Sequence, residues 1–68
     1  MMIRLNGEAA EFPSGATLPS LIARSTGQTD PQGIAVALNG RVIGRNQWTS
    51  VTLGDGDEIE ILQAVAGG

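Results

Sequence analysis

The residues of this chain best suited to chemistry are its last three, Ala66-Gly67-Gly68. A carboxylate is a poor electrophile, so an enzyme that activates it must hold the tail inside a narrow site. Glycine suits that passage because it has no Cβ and reaches backbone angles closed to other residues. At an average usage of about 7%, two glycines end a chain by chance roughly once in 200. With 10 glycines in 68 residues chance weighs more here, so the tail needs support from the rest of the chain.

That support begins with what is missing. The chain has no His, Cys or Tyr, and its four cations are Arg4, Arg24, Arg41 and Arg45, which leaves no Lys. The usual nucleophile–base pairs and any imidazole switch are lost with them. Seven carboxylates remain, four of them between Asp55 and Glu60. An autonomous enzyme is therefore not expected; the chain reads as a module that other proteins act upon. A net charge of −3 disfavours nucleic acid, whose binding depends on neutralising phosphates. Without cysteine there is neither a disulfide nor a thiolate metal site.

Metal binding by oxygen ligands is not expected either. Asp55-Gly56-Asp57 falls between two strand-like segments, where it is turn chemistry. A Ca²⁺ loop of the EF-hand type spreads its ligands over about 12 residues and ends on a bidentate glutamate. Gly54-Asp55-Gly56 is no dinucleotide fingerprint, because the third glycine and the following helix are absent.

The elements that must position the tail follow from local pattern. Met2 to Leu5 alternates apolar and polar residues and meets Asn6-Gly7, a two-residue hairpin signal, so Glu8 to Phe12 returns as a second strand. Thr17 is the expected N-cap of a helix over 18–26, with Leu18, Leu21 and Ile22 on one stripe and Gly27 as its stop. Pro19 falls in the first turn, where a missing N–H costs little.

Ile34 to Leu38 is a continuous apolar run and reads as a covered strand. Asn39-Gly40 repeats the hairpin signal and Arg41-Val42-Ile43 pairs back. Asn46-Gln47-Trp48 is expected in an irregular connection, and Val51-Thr52-Leu53 in a short extended piece. Glu58 to Val65 is the last strand, with Ile59 and Ile61 on one face and Glu60 and Leu62 on the other.

This order, β-β-α-β-β and a final strand, fits a mixed sheet of four to five strands with one short helix across one face. Hairpins pair antiparallel neighbours, and the first and last strands lie side by side at the centre. That is an α+β, ubiquitin-like β-grasp arrangement in a single domain, 1–68. The final strand then ends at the sheet's edge and projects residues 64–68 as a flexible tail. The apolar run 34–38 is far short of the ~20 residues that cross a bilayer, so a soluble, cytoplasmic protein is expected.

Among single residues, Trp48 is expected to cover one end of a small core while keeping its indole N–H wet. Arg41 and Arg45 read as solvated. Leu62 points outward beside Ala64, just upstream of the tail, and both are candidates for docking an activating enzyme.

With these pieces in place the chain resembles the small sulfur carriers of thiamine biosynthesis, the ThiS type, over nearly its full length. The resemblance rests on Asn6-Gly7, Thr17-Leu18, Ala37-Leu38-Asn39-Gly40, Arg45-Asn46-Gln47-Trp48, Asp55-Gly56-Asp57-Glu58-Ile59 and the end Gln63-Ala64-Val65-Ala66-Gly67-Gly68. Two positions depart from the pattern: Leu62 stands in place of a bulkier aromatic, and Pro19 lies in the helix's first turn.

The resemblance implies that a ThiF-type partner adenylates the Gly68 carboxylate with ATP and Mg²⁺, the carrier itself binding no cofactor. Sulfur from a persulfide donor then displaces AMP and leaves a thiocarboxylate, which a ThiG-type thiazole synthase consumes. It also implies that Gly67, Ala66 and Val65 thread into the partner's active site, and that the carrier, a monomer alone, supplies no catalytic side chain. The alternatives at this level are a molybdopterin-type sulfur carrier, a ubiquitin-like protein tag, and a non-catalytic β-grasp interaction module. Having no lysine, the chain would not build lysine-linked polymers of itself.

Overall fold

A computed structural model of the chain describes residues 1–28 and 31–63. The chain runs β1 (Met2–Leu5), β2 (Glu8–Glu11), α1 (Leu18–Thr26), β3 (Ile34–Leu38), β4 (Arg41–Ile43), a 3₁₀ helix (Arg45–Ser50) and β5 (Glu58–Gln63). The five strands form one mixed sheet in the order β2-β1-β5-β3-β4.

Two hairpins supply the antiparallel pairs, each closed by an Asn-Gly turn. Asn6 and Asn39 both sit at φ 51°, followed by Gly7 and Gly40 at φ 85° and 84°. Positive φ at both central residues gives a turn whose twist matches the flanking strands. The tight turns lock register, pairing Leu5 with Glu8 and Leu38 with Arg41. β5 then enters between the hairpins, parallel to β1 and antiparallel to β3, as the middle strand of five. Glu8 to Phe12 was the expected extent of β2; the regular strand ends at Glu11. Phe12 still exchanges hydrogen bonds with Met1, its N–H donating to Met1 O and its carbonyl accepting from the N-terminal amine, while its ring turns into the core.

The helix forms where its caps demand. Thr17 is extended (φ −98°, ψ 161°) and its hydroxyl accepts the Ser20 amide, while Ser20 Oγ accepts the Thr17 amide. Each side chain thus satisfies an otherwise orphan N–H. Gly27 ends the helix at φ 76°, its N–H donating to Ala23 O. Leu18, Leu21 and Ile22 face the sheet and are fully buried against Ile3, Val36 and Ile59.

Phe12, Trp48 and Leu53 close the ends of this core. Val51 to Leu53 forms no strand: only Thr52 pairs, in a single bridge with Thr17, and it ties the second half of the chain to the helix start. The connection expected to be irregular around Asn46-Gln47-Trp48 is a 3₁₀ helix instead. Its Gln47 side chain reaches back to the Gly44 amide, and Trp48 plugs the core at 7% exposure. The indole N–H is not wet; it donates to the Ile43 carbonyl at 3.2 Å. Among the described residues no helix is long and apolar enough to cross a membrane.

Candidate functional site

β5 divides the chain's chemistry between its two faces. Ile59 is fully buried beneath the helix and Ile61 partly so, while Glu58, Glu60 and Leu62 point to the uncovered face of the sheet. Leu62 is 66% exposed, as its alternation with the isoleucines predicts. Opposite it in the ladder stands Ala35 on β3; opposite Glu60 stands Ala37, and opposite Ala37 stands Val42 on β4. Val42 is 72% exposed, the largest exposure among the big apolar side chains of the described residues. Leu62, Ala35, Ala37 and Val42 therefore share one uncovered apolar band across three strands.

Val42 did not emerge from the sequence reading, although a signal for it exists. A two-residue Asn39-Gly40 turn forces Leu38 opposite Arg41, hence Ala37 opposite Val42. With Ala37 outward, Val42 is outward too.

Beside Leu62 the face is acidic. Glu58 and Glu60 are exposed, and Arg4 lies 3.9 Å from Glu58, a solvent-exposed pair of little energetic weight. A shallow depression of about 470 Å³ is lined by Asn6, Gly7, Glu58, Glu60, Ile61 and Leu62. On the other side of Leu62 a depression of about 310 Å³ is lined by Gly33, Ile34, Ala35, Leu62 and Gln63. The apolar band with its carboxylate flank suits a protein partner presenting apolar groups beside basic ones.

The remaining predicted residues fall into structural roles. Asp55 Oδ1 accepts the Met2 amide at 2.7 Å, and Asp57 Oδ2 accepts the Gly54 amide at 2.6 Å. Both carboxylates thus build the turn into β5. Arg45 is not simply solvated: its guanidinium lies over the Trp48 ring, 4.6 Å from the centroid, and donates to the Pro31 carbonyl. Ala64, Val65, Ala66, Gly67 and Gly68 lie outside the described residues, as does the expected extension of the last strand to Val65.

A five-stranded mixed sheet, its first and last strands parallel at the centre and one short helix across one face, defines the β-grasp class of domain. The model of the ThiS family matches residues 3–68. The sulfur carrier protein ThiS of Escherichia coli (strain K12) is 34% identical over 70 aligned positions, covering all of both chains.

Among solved structures, the solution structure of a thiamine biosynthesis protein from Geobacter metallireducens superposes with a TM-score of 0.78 at 26% identity. It covers all of this chain and 88% of that one. A crystal structure of the thiamine biosynthesis protein ThiS from the same organism, covering both chains fully, gives a TM-score of 0.78 at 24% identity and supports the fold. The chain belongs to the ThiS family.

Proposed function

We propose that this chain is a sulfur carrier of thiamine biosynthesis that works through its Gly68 carboxylate. The observation that carries the reading is the family match through residue 68, which takes in the whole of Ala64-Val65-Ala66-Gly67-Gly68. The name of the Escherichia coli relative supports the same role.

The chemistry starts from an unreactive carboxylate. A ThiF-type enzyme, using ATP and Mg²⁺, converts it to an acyl adenylate and releases pyrophosphate. A persulfide sulfur attacks the acyl carbon and AMP leaves; cleavage of the S–S bond by a thiol then frees the thiocarboxylate. That sulfur is a soft nucleophile, which a ThiG-type synthase takes into the thiazole. Every reacting atom of the carrier belongs to its terminal backbone, consistent with a chain that holds no His, Cys or Lys. Gly67, Ala66 and Val65 give the reach, and Leu62, Ala64 and Val42 give the enzyme an apolar surface to seat on. The carrier acts as a co-substrate in the cytoplasm rather than as an enzyme.

The test is intact-protein mass spectrometry of the chain incubated with ATP, a ThiF-type enzyme and a persulfide donor. The expected result is the mass gain of one oxygen replaced by sulfur, mapped to Gly68. Gly68→Val should abolish the gain while leaving the thermal melt unchanged. Normal thiocarboxylation of that variant would overturn the mechanism, and consumption of the product by thiazole synthase separates this role from a molybdopterin one.

A further inference from the structure

The two Asn-Gly turns look alike and are chemically unlike. Asn6-Gly7 and Asn39-Gly40 share the same dipeptide, the same φ of 51° at Asn, and exposed positions on the surface. A Cβ built on either glycine meets nothing within 4 Å, and the Arg4 guanidinium beside the first turn donates to the Gly7 carbonyl rather than to its nitrogen. Both asparagines also hold β5 in the same way. Asn6 donates its backbone N–H to Ile59 O and accepts the Ile61 amide on Oδ1 at 2.8 Å. Asn39 donates to Glu58 O and accepts the Glu58 amide on Oδ1 at 2.9 Å.

The difference lies at Nδ2. That of Asn39 donates to Asp57 Oδ1 at 3.0 Å, so its carboxamide is held at both ends, once by a charged acceptor. That of Asn6 has no hydrogen-bond partner among the described residues.

We propose that Asn6 is a site of spontaneous covalent modification, deamidation through a succinimide, and that Asn39 is protected from the same reaction by Asp57. The Gly7 backbone nitrogen, its proton lost to a water-derived base, attacks Asn6 Cγ. A new N–Cγ bond closes the five-membered ring, the Cγ–Nδ2 bond breaks, and Nδ2 leaves as ammonia after taking up a proton. Water then opens the ring at either carbonyl, giving aspartate or isoaspartate at position 6.

To reach Gly7 the Asn6 carboxamide gives up only its bond from Ile61. Asn39 must give up its bond from Glu58 and its bond to the Asp57 carboxylate. A hydrogen bond to a charged group is worth about 1.5–3 kcal/mol, which slows Asn39 by roughly tenfold to a hundredfold relative to Asn6.

The product matters to the face described above. Asn6 lines the same depression as Glu58, Glu60 and Leu62, so reaction there adds a third carboxylate beside the apolar band. Isoaspartate also inserts a methylene into the backbone at the point where Asn6 steadies Ile61.

The arginines make the test direct. Trypsin cleaves after Arg4, Arg24 and Arg41, which places Asn6 in peptide 5–24 and Asn39 in peptide 25–41. The full chain is aged in mildly alkaline buffer and each peptide is followed by mass spectrometry for replacement of the amide NH₂ by OH, with isoaspartate scored by an isoaspartyl methyltransferase. Conversion at Asn6 should run at least roughly tenfold ahead of Asn39. Asp57→Ala should bring Asn39 up toward the Asn6 rate, and Asp57→Asn, which keeps an acceptor oxygen, should raise it less. Equal conversion of both sites in the unmodified chain, or Asn39 reacting first, overturns the proposal. So does a folded Asp57→Ala variant in which Asn39 stays slow.

Discussion

Asn6 Oδ1 accepts the backbone N–H of Ile61 at 2.8 Å, joining residues 55 positions apart. The side chain of a turn residue thereby continues the ladder between β1 and β5 one step beyond its last backbone bond, from Asn6 N–H to Ile59 O. Asn39 does the same on the other flank through Glu58. The two hairpin turns are thus clamps on the central strand, the one that leads toward the C-terminal residues.

Removing the first clamp should be costly for an exposed side chain. Asn6→Ala loses the bond to Ile61 and leaves a Cβ residue at positive φ, together about 2 kcal/mol. Asn6→Gly relieves the backbone and should lose about half as much. Urea unfolding midpoints of the two variants check the order; an alanine variant as stable as the glycine one would contradict it.

Neighbours on β5 should separate stability from binding. Ile59 is fully buried, so Ile59→Ala should cost about 2–5 kcal/mol. Leu62→Glu and Val42→Glu, on the open face, should each leave the thermal midpoint almost unchanged. The same two variants should weaken association with a ThiF-type enzyme by about tenfold or more, as buried apolar contacts at an interface do. Calorimetric titration reads the effect, and unchanged affinity in both variants would remove this face from the docking surface.

The helix start offers a local test. Thr17→Ala deletes one half of the reciprocal cap with Ser20 and should cost about 1 kcal/mol, read from the same urea curves. The bridge between Thr17 and Thr52, which fastens the segment after the 3₁₀ helix, is made by backbone groups and survives the substitution itself. Any loosening there should come only from fraying of the helix start. Hydrogen exchange at Leu18 and Leu53, whose amides donate to Val51 O and Ala16 O, should quicken together.

Much of this was legible in the chain itself. Asn6-Gly7 and Asn39-Gly40 set two hairpins, because a turn with two positive φ values leaves few other choices. Thr17 and Gly27 bounded the helix through caps that act within one turn of chain. Alternation along Ile59, Glu60, Ile61 and Leu62 assigned faces, since a strand's side chains have a period of two.

What the sequence could not decide involves partners distant along the chain. The 3₁₀ helix at Arg45–Ser50 forms where Trp48 must reach both the core and the Ile43 carbonyl, and local propensity does not encode that demand. Arg45 looked solvated until tertiary packing set its guanidinium over Trp48. The outward band of Leu62, Ala35, Ala37 and Val42 exists only once β5 is inserted between β1 and β3, which aligns three strands in register. Likewise the inequality of the two Asn-Gly turns depends on Asp57 lying within reach of Asn39, 18 residues away, while no carboxylate among the described residues is bonded to Asn6. Local pattern is written in spacing along the chain; these contacts arise from closing a sheet across it.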